Sequence, residues 1–188
     1  MGAPLSIGDI QLSFVSGGSL RIDGGNMFGV IPRLRWERES PPDEQHRISL
    51  ATNCIVVRTP GSLGLIDTGY GSKSPPKFRQ RHALEEGAPL VKNLAAIGVT
   101  PGDLDWVILT HLHFDHVGGT TYRDHDGQLR PTFPRARHFI QRAEWEDANG
   151  NIPELAGAYY PDDFAPLHAA GLVQLIEGDA EAVPGIRT

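Results

Sequence analysis

Cysteine is nearly missing from this chain: Cys54 is the single one in 188 residues. That excludes an internal disulfide framework and any zinc knuckle built from several thiolates. Positive charge is also in short supply. Lys plus Arg number 17 against 23 Asp plus Glu, a formal net charge of −6, so no basic stripe is available to neutralise phosphates and no nucleic-acid partner is expected. No window approaches the ~18 consecutive apolar residues of a membrane span, and no membrane association is expected. Met1 to Leu20 lacks both an early positive charge and an unbroken apolar stretch, so it does not read as a secretory leader, and the expected compartment is the cytoplasm. A Gly-x-Ser-x-Gly elbow is absent, which leaves a serine hydrolase without its nucleophile. Gly61–Gly69 lacks the Gly-Lys-[Ser/Thr] ending of a phosphate loop. What remains is ordinary globular composition, 39 % hydrophobic and 21 % charged, without an internal repeat. At roughly 100–200 residues per domain, the length allows one domain.

Glycine (22) and proline (15) are plentiful and cut the chain into short elements. Ile10–Val15 alternates apolar and polar residues and predicts a strand, with Gly17-Gly18 as the turn after it. Residues 23–48 read as a surface excursion, because Gly24-Gly25, Pro32 and Pro41-Pro42 interrupt any periodic element. Its Met27, Phe28, Val30, Ile31 and Trp36 either fold back onto the domain or form a flap over a pocket. Cys54–Val57 and Leu63–Ile66 read as a hairpin across Thr59-Pro60-Gly61-Ser62, with Cys54 as a small buried residue. Asp67-Thr68-Gly69 follows, then a Gly/Ser/Lys/Pro-rich loop through Pro76. A helix over Leu90–Ile97 stops at Gly98. Trp106–Leu109 is a short buried strand that runs straight into His111. Downstream come a strand around His138–Ile140, a helix from Arg142, a helix over Asp162–Ala170 and a strand at Leu172–Ile176. Trp145 and Tyr159-Tyr160 suit the core better than a pocket. This alternation predicts an α/β (α+β) fold with a buried sheet.

The chemistry is concentrated in Thr110-His111-Leu112-His113-Phe114-Asp115-His116-Val117-Gly118-Gly119. Four of the six residues His111–His116 are good zinc ligands. In an extended chain residues two apart point to the same side, so His111 and His113 converge on one point, which a helix would not allow. Asp115 and His116 are adjacent and reach a common point only where the chain turns. Two neighbouring metal centres follow, one fed by His111 and His113, the other by Asp115 and His116. Gly118-Gly119 lets the backbone turn tightly without a Cβ clash.

This run resembles the His-x-His-x-Asp-His signature of the metallo-β-lactamase fold superfamily. Leu65-Ile66-Asp67-Thr68-Gly69 is similar to that family's strand ending in Asp-Thr-Gly, and Asn53 heads the preceding strand as it often does there. His-Leu-His-Phe-Asp-His and the long Phe28–Ile48 lead-in look most like the lactonase and organophosphate-hydrolase-like branch. The resemblance implies a dinuclear zinc hydrolase of a small-molecule ester or lactone, with iron or manganese as alternative metals. In it His111 and His113 bind one ion, Asp115 and His116 the other, and a hydroxide bridging the pair attacks the substrate. Asp115 takes up a proton as the bond opens, and Asp67 accepts from a ligand imidazole or holds the motif loop. An ordinary turn-forming role for Asp67 stays open.

These four ligands do not close two sites. The family adds a histidine, a bridging aspartate and a final histidine from later strands. Downstream of Gly119, His125 lies in a charged turn and is expected to face solvent, His138 lies in a strand-like run where a surface or packed role is expected, and His168 lies in an Ala-rich helix without a family match; none of the three is expected to be a ligand. Val183–Thr188 looks like the approach to the strand that carries the next metal histidine. The expectation is therefore one domain over 1–188, the N-terminal half of an αβ/βα sandwich truncated on its C-terminal side. A homo-oligomer or a complementing C-terminal half would supply the rest. Two other classes stay open: an iron-dependent oxygen or redox enzyme on the same fold, and an incomplete half-domain acting through association.

Overall fold

Two kinds of strand pairing meet in one sheet, and the candidate ligands sit where they meet. The structure is a computed structural model and describes residues 3–150, 152–155 and 157–188. In chain order the elements are β1 (Leu5–Ile7), β2 (Ile10–Asp23), α1 (Gly24–Phe28), α2 (Arg33–Trp36), β3 (Arg47–Arg58), β4 (Leu63–Ile66), α3 (Pro76–His82) and α4 (Pro89–Ala95). There follow β5 (Trp106–Ile108), α5 (Phe114–Val117), β6 (Thr121–Arg123), β7 (Leu129–Pro131), β8 (Arg137–Gln141) and α6 (Arg142–Asn149). The last are α7 (Ala165–Ala169), β9 (Val173–Ile176), β10 (Glu181–Val183) and β11 (Ile186–Arg187).

Seven strands form the main sheet in the order β1-β2-β3-β4-β5-β8-β9. β1 to β4 pair antiparallel as hairpins, whereas β4, β5, β8 and β9 run parallel. Parallel neighbours need crossover connections, which here carry α3, α4, α6 and α7. A mixed α/β fold with a large mixed sheet is therefore what the chain forms, as its alternation predicts.

Side chains alternate between two cores. On one face Val15, Cys54, Val56, Leu65, Val107 and Ile140 pack against Leu90 and Leu94 of α4 and against Phe164. On the other, Val57, Trp106, Ile108, Phe139 and Ile176 meet Val183 and Ile186 of the β10–β11 hairpin. Each fully buried aliphatic or aromatic side chain contributes roughly 1.5–3 kcal/mol, so these faces hold the sheet together. Among the described residues no helix is long and apolar enough to cross a membrane.

Two stretches differ from what their residues predict. Gly17-Gly18 is not a turn: β2 continues through it to Asp23, and its pairing with β3 shifts register between Ser16 and Ser19. The pair forms a bulge because the loop after β4 presses on it. A Cβ at Gly17 would lie 2.9 Å from Gly69 Cα, and one at Gly18 (φ +114°) would lie 2.1 Å from the Tyr70 hydroxyl. Residues 23–48 are not irregular throughout. β2 and β3 pair out to Asp23 and Arg47, and α1 and α2 lie between them with buried Trp36 stacked on Phe28 at 4.8 Å. The Pro-rich loop ends in α3, which uses Pro76 at its first turn, where the missing N–H costs nothing.

The downstream histidines take separate paths. His125 is exposed on the β6–β7 hairpin and His168 packs beside Trp145. His138, the second residue of β8, is fully buried with neither ring nitrogen hydrogen-bonded.

Candidate metal centre

Parallel strands leave their next residues on a common edge, and β4 and β5 are parallel neighbours. The residues just past their carboxyl ends are Asp67 on one and Thr110–His113 on the other, the place where open α/β sheets put their sites. Asp67 takes a left-handed conformation (φ +55°) with its N–H bonded to Ile108 O at 2.9 Å. Aspartate is among the few non-glycine residues that tolerate this region. The turn aims its carboxylate back across the sheet edge at the motif.

There Asp67 Oδ1 accepts the Thr110 N–H at 2.9 Å, and Oδ2 accepts the Thr110 hydroxyl and His116 Nδ1, each at 2.8 Å. Thr110 Oγ1 also lies 3.1 Å from His111 Nδ1. The loop is stitched down further on. His116 O accepts from Thr68 N at 2.7 Å and from Thr68 Oγ1 at 2.8 Å, and Gly119 N donates to Gly69 O at 2.9 Å. That closeness explains the glycine pair after the motif. Gly118 has an ordinary helical conformation, but a Cβ at Gly119 would fall 2.1 Å from Thr68 O. Backbone approach, not an unusual φ, demands glycine here.

The motif leaves β5 extended through His113 and then coils into the single turn α5, where His116 N and Val117 N bond to His113 O at 2.9 and 3.0 Å. His111 is half-buried and His113 exposed, with ring centroids 4.6 Å apart; His111 and His116 are 4.0 Å apart. Asp115 Oδ2 lies 3.6 Å from His116 Nε2. Burial pushes His111 below the ordinary histidine value, helped by the two neighbouring imidazoles. Burial acts on His116 in the same direction, but the bond and charge of Asp67 outweigh it and hold His116 above that value. Behind the motif, Glu144 of α6 accepts the Leu112 N–H at 2.7 Å, and Tyr159 bridges to His113.

The structure therefore brings His111, His113, Asp115 and His116 to one edge, with Asp67 beneath them. The donor chemistry suits a divalent cation such as zinc: imidazoles and a carboxylate, with the inner nitrogen of His116 committed to Asp67 and its outer nitrogen left free. No three of the four motif donors lie within 4.8 Å of one another; among the described residues that distance is met by Asp124, His125 and Asp126. That trio is turn chemistry. Asp124 Oδ1 caps the Asp126 and Gln128 N–H groups, and Oδ2 accepts from Arg130.

Beside the motif lies a cavity of about 540 Å³ lined by Tyr70, Lys73, Phe78, Phe114, Tyr160 and Asp163. Phe78 meets Phe114 and Tyr160 edge-on at 5.0 and 5.6 Å. Trp145 instead packs on Phe164. Lys73 and Asp163 form a buried ion pair at 2.6 Å, and the same ammonium bonds to Gly118 O. Thr110, Glu144, Lys73 and Asp163 escaped the sequence reading. Only Thr110 carried a signal, its position directly before the first ligand.

Residues 48–123 match the family described as the metallo-beta-lactamase superfamily. An N-acyl homoserine lactonase of Bacillus cereus is 35 % identical over 154 residues, 74 % of this chain and 53 % of that protein. A probable metal-dependent hydrolase from Staphylococcus aureus superposes with TM-score 0.86 at 32 % identity, over 97 % of this chain and 64 % of that one. AidC, a dizinc quorum-quenching lactonase, shares the fold with TM-score 0.68 at 21 % identity, over 93 % of this chain and 60 % of that one. The chain thus spans about half the length of the curated lactonase.

Proposed function

Because the chain belongs to the metallo-β-lactamase superfamily, we propose that it forms the metal-holding part of a dizinc hydrolase that opens a lactone or cleaves a related ester. The observation that carries this reading is the clasp of Asp67 on His116 at 2.8 Å within a cluster of three imidazoles. A carboxylate that takes the inner N–H of a histidine fixes the ring and leaves its other nitrogen as a donor. His111 and His113 would hold one ion, Asp115 and His116 the other. Such a pair supplies Lewis acidity toward a carbonyl oxygen and an activated water at neutral pH.

The protein's own groups do the rest. Asp67 keeps His116 oriented, and Glu144 holds the peptide between His111 and His113 from behind. The carboxylate of Asp115 would take a proton from the attacking water and return it to the alkoxide oxygen that leaves as the ester bond opens. Phe78, Phe114 and Tyr160 line the neighbouring cavity with apolar surface, which suits the hydrocarbon portion of a substrate and keeps water from that side. The lactone class is favoured by the B. cereus relative, an N-acyl homoserine lactonase.

Elemental analysis of the purified chain after exposure to zinc tests the reading, together with proton release from an N-acyl homoserine lactone. The expected outcome is stoichiometric zinc, with Asp115→Asn removing most turnover while leaving one equivalent bound. A folded chain that takes up no zinc would overturn the proposal.

A further inference from the structure

One carboxylate faces two candidate ligands but touches only one of them. Asp67 reaches His116 Nδ1 directly at 2.8 Å, whereas His111 Nδ1 meets Thr110 Oγ1 at 3.1 Å. The Thr110 hydroxyl has one proton to give, and near it lie both Asp67 oxygens, His111 Nδ1 and, at 3.4 Å, His116 Nδ1, whose own proton goes to Asp67. Its distance to Asp67 Oδ2 is 2.8 Å, shorter than that to His111, and a bond to a carboxylate is charge-assisted. The proton therefore goes to Asp67, and Oγ1 turns a lone pair toward His111. A lone pair can only be met by an N–H, so His111 carries its proton on Nδ1. The Thr110 N–H, bonded to Asp67 Oδ1 at 2.9 Å, keeps the hydroxyl from swinging away.

We propose that Thr110 is a positioning residue that relays the acceptor character of Asp67 to His111. Through it one carboxylate sets the same Nδ1–H tautomer on both imidazoles and turns both Nε2 lone pairs outward. The relay is built into the metal-free chain. Its consequence for zinc rests on the metal centre proposed above, but the tautomer itself does not. Without the relay an isolated imidazole favours the opposite form, with the proton on Nε2, and His111 would have to exchange tautomers before ligating.

Thr110→Val tests this, since it keeps the branched shape and removes only the hydroxyl; Thr110→Ser restores it. The metal-free chain, labelled with 15N histidine, is read at a mildly alkaline pH by two-bond proton–nitrogen correlation. In the parent, His111 and His116 are both expected to show the Nδ1–H pattern. In Thr110→Val, His111 moves to the Nε2–H form while His116, bonded directly to Asp67, stays unchanged; Thr110→Ser matches the parent. Competition with a chromogenic chelator then reads zinc affinity, expected to fall about 10–100-fold in Thr110→Val and to recover in Thr110→Ser. A general packing defect would not discriminate between the two rings. An Nε2–H pattern for His111 in the parent overturns the proposal, as does an unchanged His111 in Thr110→Val. Should the valine variant not fold, Thr110→Ala is read in the same way, and the parent spectrum already decides the tautomer. A parent chain with the expected tautomers that binds no zinc leaves the relay standing and refutes the hydrolase reading instead.

Discussion

Acid should weaken this fold through one buried ring. His138, the second residue of β8, is fully buried, and neither nitrogen makes a hydrogen bond. Burial pushes its pKa down from 6.5 to about 4, with the nearby Ala136 backbone acting weakly in the opposite direction. The folded protein thus holds this histidine neutral where the unfolded chain would protonate it. Between those two values the unfolded state binds more protons, so stability falls as pH drops from 6.5 toward 4 and this contribution levels off below. At about 1.4 kcal/mol per unit, the full effect is about 3 kcal/mol, a large part of a typical domain's stability. His82 and His111 are also pushed down, chiefly by burial, and His116 is held up against burial by Asp67, so the parent curve alone mixes several groups. His138→Leu isolates the one of interest. Urea unfolding followed by circular dichroism at steps from pH 7 to 4 should show the variant at least as stable as the parent at pH 7. Removing two unsatisfied buried nitrogens costs nothing in hydrogen bonds. The gap between the two should then widen by about 3 kcal/mol as the pH falls. Parallel curves over that range would refute the reasoning.

Two further changes probe the supports of the site. Lys73→Met leaves the buried Asp163 carboxyl without its partner, and breaking such a pair should cost about 3–5 kcal/mol; Lys73→Met combined with Asp163→Leu should recover most of it, and a single-variant cost in urea titration no greater than that of a surface ion pair would count against the assignment. Gly119→Ala drives a methyl to 2.1 Å from Thr68 O, so about 1–3 kcal/mol should be lost, and an unchanged denaturation midpoint would show that the loop after β4 is not held against the motif.

The legible parts of this protein are those written in neighbouring residues. β4, β5, β8 and β9 could be read because each is a short apolar run bounded by turn residues or leading straight into the motif. The candidate ligand set was legible as a proposal because His111 and His113 share one side of an extended chain by covalent geometry alone. The bulge at Gly17-Gly18 could not, since it answers to Gly69 and Tyr70, some fifty residues away in sequence. Nor could α3, whose Lys, Arg and Gln residues resemble a loop until its Phe78 finds Phe114 and Tyr160. Asp67 stood between two readings, turn former and ligand support; it is in a turn and it also bonds to His116.

By itself, then, the sequence determined the central strands around the motif and the chemical character of the candidate site. Strand periodicity and ligand spacing are local properties, independent of what packs nearby. Tertiary structure decided which groups support those ligands. Asp67 reaches His116, Glu144 reaches Leu112 and Lys73 reaches Asp163 only because parallel strands and their crossovers bring distant segments to one edge. It also decided that His138 is buried rather than at the surface. Hydrogen bonds act over about 3 Å, and no spacing along the chain encodes which remote side chain will arrive within that reach.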